Sequence, residues 1–186
     1  VLAILIILGI ILGIIVAAIA IYNKLVRLRN TVKSSWSDID VQCKKRYDLV
    51  PNLIETVKGY ASHERNLFEK VTEARTLAMR ASSPSDKAKA ENMLSDTLKT
   101  LFAVAEAYPE LKASNNFLQL QTQLKELEDN IENARRYYNA VVRDYNILIE
   151  SFPSNIIASS FNFKQEEFFG LETPEVERKP VKVSFS

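Results

Sequence analysis

The chain of 186 residues carries one cysteine, one histidine and four glycines, and each scarcity removes a class of chemistry. Cys43 alone closes no internal disulfide, which suits a reducing compartment. His63 alone removes most metal and acid–base chemistry. Tyr60 stands where a ferritin-like Glu-x-x-His motif needs its glutamate. Leu67 stands where the zinc-protease motif opened by His63-Glu64 needs a second histidine. Four scattered glycines build no Walker loop, dinucleotide loop or nucleophile elbow. Charge of one sign is missing too: Lys plus Arg is 24 and Asp plus Glu is 23, a net charge of +1. A nucleic-acid binder normally shows a basic excess. The composition therefore points away from an enzyme and implies no cofactor, no metal, no nucleic-acid partner and no small-molecule substrate.

β-structure lacks its turn residues as well. Between Tyr22 and Phe152 there is one glycine, Gly59, where sheets and hairpins normally need more. Pro51, Pro84, Pro109 and Pro153 divide the chain into pieces of helical length. The fold class expected is all-α.

What is present begins with an apolar run over residues 1–21, VLAILIILGIILGIIVAAIAI, without a charge. At a rise of 1.5 Å per residue it spans about 30 Å, the thickness of a hydrocarbon core. Ala18-Ile19-Ala20 resembles a signal-peptidase site, but the run exceeds the usual apolar region of a signal peptide. A buried core helix is the other alternative, yet no other segment is apolar enough to enclose it. An uncleaved transmembrane anchor over 1–22, in contact with membrane lipid, is the expectation. Gly9 and Gly13 form a G-x-x-x-G pair suited to close helix–helix approach, although glycine is common in such helices anyway. Lys24, Arg27, Arg29 and Lys33 precede the first acid, Asp38, so the positive-inside rule puts the N-terminus outside and the body in the cytoplasm.

Beyond the anchor, four apolar stripes recur at steps of three and four. The first runs Leu25, Leu28, Val32, Trp36, Ile39, Cys43, Tyr47, Val50 and continues directly from the span. Pro51 is expected to kink or restart that helix. The second is Leu53, Val57, Tyr60, Glu64, Leu67, Val71, Ala74, Ala78, where Glu64 needs an arginine from another helix if it is buried and is otherwise solvated. Ser83, Pro84 and Asp86 read as N-cap, first helical residue and capping partner of the third. The fourth stripe, from Phe117 to Phe152, keeps a 3.5-residue period that favours left-handed, coiled-coil-like packing. Short connections favour antiparallel neighbours, so the body over 23–152 is expected to be an up-down four-helix bundle. Residues 153–186 follow as a C-terminal segment. Phe161, Phe163, Phe168 and Phe169 are placed to pack on the bundle's end. An extended tail has Val181, Val183 and Phe185 alternating as a strand would, either as a mobile terminus or docked on a subunit or partner.

Polar and aromatic residues concentrate in two places. Trp36, Asp38, Asp40, Arg46, Tyr47, Asp48 and Asn52 surround the break at Pro51, and Arg135, Arg136, Tyr137, Tyr138 and Asn139 form a second group. Interhelical pairing is the structural reading of both, and a partner-contact patch is the functional one.

These residues also carry a resemblance. YNKLVRLRN, WSDIDVQ, KRYDLVPNLIETVKGYASHE, NFLQLQ, ARRYYN and SFPSNIIA are similar to segments of the LemA family of bacterial membrane proteins. The resemblance implies one transmembrane helix and a soluble antiparallel helical bundle at the bacterial inner membrane, and it supplies no catalytic residue. Cys43 departs from the larger apolar residue expected there, which should only loosen local packing. Members resembling this chain occur in magnetosome biogenesis, which hints at membrane organisation. The function expected is a membrane-anchored scaffold, a homo-oligomer that organises membrane or partner proteins. The alternative is an adaptor for a membrane-protein quality-control partner, bound through the bundle or the tail at 180–186.

Overall fold

The computed structural model describes residues 1–170, and among these there are helices and connections but no strand. The tail residues Val181, Val183 and Phe185 lie outside the described residues. Six helices follow in order: α1 (Leu2–Lys58), α2 (Arg65–Arg80), α3 (Pro84–Ala105), α4 (Pro109–Lys112), α5 (Asn115–Glu150) and α6 (Ser154–Ser160).

α1 joins the apolar run to the first stripe without interruption, and its most apolar stretch holds no buried residue. From Leu25 onward the helix buries Val32, Ile39, Cys43, Tyr47 and Val50, the spacing that gives a helix one apolar face. The helix passes through Pro51 and ends at Lys58, so the expected restart at Pro51 does not occur. Proline cannot donate to the carbonyl four residues back. That carbonyl, of Tyr47, instead accepts a bond from Arg75 Nε at 2.8 Å.

The second stripe is not one helix. It breaks between Lys58 and Arg65, where Ala61 N donates to Val57 O at 2.8 Å and Tyr60 N to the same oxygen at 3.0 Å. After the break the buried residues are Phe68, Val71, Ala74 and Ala78, so Phe68 takes the place expected for Leu67. Glu64 lies in the connection, half-buried, and accepts from the Tyr108 hydroxyl at 3.3 Å rather than from an arginine.

α3 opens with a reciprocal cap: Asp86 N donates to Ser83 Oγ at 3.1 Å, and Ser83 Oγ donates to Asp86 Oδ2 at 2.8 Å. α2 packs along α3. Pro109 sits at the first turn of the short α4, which occupies the connection before α5. α5 keeps the expected stripe buried at Phe117, Leu124, Leu127, Ile131, Tyr138, Val141 and Tyr145. It ends at Glu150, and Phe152, expected to close the stripe, is 81% exposed.

Contacts divide the described chain into two compact units that cut across α1 and α5. One comprises Val1–Cys43 and Asp129–Glu167; the other comprises Lys44–Glu128 and, among the described residues, 168–170. Each has its own core. In the first, Trp36 meets the Tyr138 ring at 5.5 Å and Tyr22 meets Phe161 at 4.7 Å. In the second, Leu53, Val57, Val71, Leu94, Leu98, Leu101 and Leu111 are buried, and Phe102 meets Phe117 at 6.0 Å.

Candidate functional site

Two consecutive residues of α1, Arg46 and Tyr47, build the centre of the Lys44–Glu128 unit. Arg46 is fully buried, although arginine is among the residues least often found there unpaired. Its guanidinium forms ion pairs with Glu91 of α3, also fully buried, and with Glu128 of α5. Arg46 Nη1 further donates to Ser95 Oγ at 2.7 Å, and Ser95 Oγ lies 3.1 Å from Glu128 Oε2. The Tyr47 hydroxyl bonds the other Glu91 oxygen and lies 3.2 Å from the Ala78 carbonyl. Lys87, one turn before Glu91, holds its ammonium 4.0 Å from Glu91 Oε1 and 5.5 Å from the Tyr47 ring centroid. The buried Arg46, Lys87 and Glu91 are thus paired with one another and with the partly exposed Glu128. Such pairing is what low-dielectric burial requires, since one unpaired charge there is far more costly than a pair.

The chemistry of this cluster is positional. Arg46 clamps three helices, α1, α3 and α5, while Arg75 of α2 holds the Tyr47 carbonyl. Among the described residues no three His, Cys, Asp or Glu side chains gather as metal ligands. Of the first polar group expected from sequence, Arg46 and Tyr47 enter the cluster, while Asp48, Pro51 and Asn52 lie on α1 outside it, all three exposed. Sequence reasoning misses Glu91, Glu128, Lys87 and Ser95. The available signal is Glu91 at stripe spacing with Leu94, Leu98 and Leu101.

The other unit gathers a different set. Trp36 and Tyr138 are in ring contact, Asp40 and Arg135 are half-buried, and Asp38 is exposed. Arg136 bonds Asn133 at 2.5 Å on the outer face of α5. The segment after α6 is fastened to α5 at two points. Tyr138 OH donates to Glu167 O at 2.9 Å. Asn146 exchanges two bonds with the Glu166 backbone, donating to its carbonyl at 2.9 Å and accepting from its N–H at 3.0 Å. Burial, then the negative charges of Glu166 and Glu167, push the Tyr138 phenol up to about 12. Burial and Glu166 also raise Tyr145, with Arg29 opposing.

The segment is led to this position by a Schellman ending of α6. Phe163 N donates to Ala158 O at 2.9 Å, Asn162 N to Ser159 O at 3.2 Å, and Asn162 takes φ 56°. Phe163 is thereby buried, with Tyr22 at 5.8 Å and the Arg29 guanidinium 4.9 Å from its ring centre. In the apolar run, a Cβ added at Gly9 or Gly13 would meet nothing within 4 Å.

An open groove of about 710 Å³ on the Lys44–Glu128 unit is lined by Ile54, Phe68 and Leu77 between Lys58, Glu69 and Arg80, among others.

The LemA family model matches residues 35–185. Similar proteins include Magnetosome protein MamQ 2 of Paramagnetospirillum magneticum, 26% identical over 174 residues, which cover 80% of this chain and 64% of that protein. Magnetosome protein MamQ of Magnetospirillum gryphiswaldense is 22% identical with the same coverage. Protein LemA of Metamycoplasma hominis is 27% identical over 166 residues, 87% of this chain and 74% of that one. The chain thus spans just under two thirds of the length of its MamQ relatives. The match takes in α1 from Ser35, the Arg46 cluster, and the Tyr138 and Asn146 fastenings, and by it the chain belongs to the LemA family.

Proposed function

We propose that this chain is a single-pass, membrane-anchored scaffold without catalytic activity, which self-associates and organises membrane or partner proteins. Residues 1–22 are the anchor and 23–152 the body, a left-handed antiparallel four-helix bundle, with 153–186 as its C-terminal segment. The anchor lies in the bacterial inner membrane with its N-terminus outside and the body in the cytoplasm, the orientation that Lys24, Arg27, Arg29 and Lys33 favour.

One observation carries the reading. The exposed apolar turns and the buried stripe belong to one uninterrupted helix, α1. A lateral contact made in lipid is therefore passed along α1 to Leu25 and Val32, buried in the same unit. Confinement to two dimensions raises the effective concentration of bodies for one another. The open flank at Gly9 and Gly13 supports contact between anchors, because no described residue of the chain occupies it. The relatives' names, magnetosome protein MamQ and protein LemA, are not those of enzymes.

Mass measurement of the full chain in nanodiscs tests this. The wild type is expected as a homo-oligomer, and Gly9→Leu with Gly13→Leu as a smaller species or monomer. A strictly monomeric wild type would overturn self-association and favour the adaptor reading. For that second reading, the groove between Ile54 and Leu77 supplies an apolar floor and charged walls fit for an amphipathic segment.

A further inference from the structure

The Val1–Cys43 and Asp129–Glu167 unit leaves an apolar corner uncovered beside the end of the anchor. Phe152 is 81%, Ile156 54% and Phe161 59% exposed. Phe152 follows the end of α5, Ile156 lies in α6 and Phe161 caps its C-terminus, all within ten residues of sequence. The arrangement is built rather than incidental. Ser154 Oγ donates to the Leu148 carbonyl at 2.6 Å and lies 2.9 Å from the Ser151 carbonyl, which holds the turn into α6. The Schellman ending at Asn162 turns the chain so that Phe163 goes inward while Phe161 stays outside.

The position of Phe161 relative to the span is fixed by a ring contact. Tyr22, the first residue after the apolar run, lies 4.7 Å from Phe161. A tyrosine at the end of a transmembrane run is the usual occupant of the headgroup level, where one side of the ring is apolar and the hydroxyl is wet. Phe161 is thus at the same level as the residue that marks the membrane surface. The flanking charges are cationic: Lys24 and Arg27 are exposed on the next turn of α1. They suit the phosphates of a lipid surface, whereas exposed phenylalanine and isoleucine would otherwise stand in water.

We propose that this corner is a second membrane contact, in which Phe152, Ile156 and Phe161 insert into the headgroup–acyl boundary of the leaflet from which α1 emerges. This rests on the anchor reading above. The span then does not carry the body as a free rod. The unit is seated on the bilayer at two points, α1 and the α5–α6 corner, and its tilt is fixed.

Tryptophan quenching by brominated lipids in nanodiscs tests the proposal on the full chain, in a Trp36→Phe background that leaves no other indole. Single tryptophans are placed as Ile11→Trp, Phe152→Trp, Ile156→Trp and Tyr137→Trp. Tyr137 is an exposed residue of the same unit, fifteen positions before Phe152. The expected result is loss of most emission, with a blue shift, at 11, 152 and 156, and unquenched emission at 137. Quenching at 11 without quenching at 152 and 156 would overturn the corner contact and leave the anchor standing. No quenching at 11 would overturn the anchor and the corner together. Blue-shifted but unquenched emission at 152 and 156 would show a protein surface covering the corner and reject lipid. Equal quenching at 137 would reject a seat limited to the corner. Two reporter positions keep the test decisive should one variant fail to fold.

Discussion

Arg75 Nε donates to the Tyr47 carbonyl oxygen at 2.8 Å, the acceptor that Pro51 leaves without its helical partner. A side chain of α2 thereby repairs the one defect that proline introduces into the backbone of α1, at a part-buried site. Arg75→Ala should cost about 1–2 kcal/mol by leaving that carbonyl unsatisfied. Pro51→Ala in the same background should recover part of the loss, because alanine restores the helical N–H donor. Denaturant midpoints of the four proteins in the cycle measure the coupling, and strict additivity would mean that the two residues act independently.

The Arg46 cluster predicts an asymmetry between breaking a charge pair and removing it. Arg46→Met leaves Glu91 buried without its main cation and should destabilise by roughly 3–5 kcal/mol. Combining Arg46→Met with Glu91→Leu should restore much of that stability, since replacement of a buried pair by apolar residues is often neutral. Thermal unfolding monitored by circular dichroism reads both. A double variant as unstable as Arg46→Met alone would show that Glu128, Ser95 and Tyr47 depend on the pair for their own placement.

Tyr138 and Tyr145 give the stability an alkaline limit. The phenol of Tyr138 is raised from 10.0 to about 12 in the folded chain, and Tyr145 is raised in the same direction. Above pH 10 the unfolded chain releases these protons while the folded one keeps them, so the folded state binds more protons and stability falls with rising pH. The contribution is complete below pH 10 and lost as pH passes through about 12. Phenolate absorbance against pH should rise late for Tyr138, and Tyr138→Phe should flatten the fall in stability over that window. The same variant should cost about 1 kcal/mol at neutral pH, from the lost bond to the Glu167 carbonyl.

Asn162 is the one non-glycine residue at positive φ among the described residues. Asn162→Gly should be tolerated and Asn162→Val should cost about 1–2 kcal/mol, because a branched side chain meets the following carbonyl in that conformation. Release of Phe163 should follow in the valine variant, seen as faster amide exchange at Phe163, whose N–H bonds Ala158.

The elements legible in the sequence are those decided by local chemistry. The stripes of α1 and α5, the apolar run and the Ser83 cap follow from spacing and from side chains that reach only their own neighbours. Continuity through Pro51 is not legible, because its rescue comes from Arg75, 24 positions away and on another helix. The break at 59–64 is hidden because Leu53, Val57, Tyr60, Glu64 and Leu67 keep a regular period across it. Gly59 is its only local mark. Arg46 and Tyr47 stand out in a dense polar and aromatic group around Pro51, whereas Glu128 resembles the solvated acids beside it and Glu91 is marked only by its spacing to Leu94. Periodicity names a face. It does not say which acid on that face meets a buried cation, because the pairing is decided by three helices at once.

The unbroken path of α1 from its exposed apolar turns to Leu25 and Val32 also sets an angular relation. Each helical residue advances about 100° around the axis. The azimuth of Gly9 and Gly13 is therefore dictated by the side of α1 that packs in the body. One alanine inserted after Tyr22 would leave the length and polarity of the run nearly unchanged, yet would swing both glycines by more than a quarter turn.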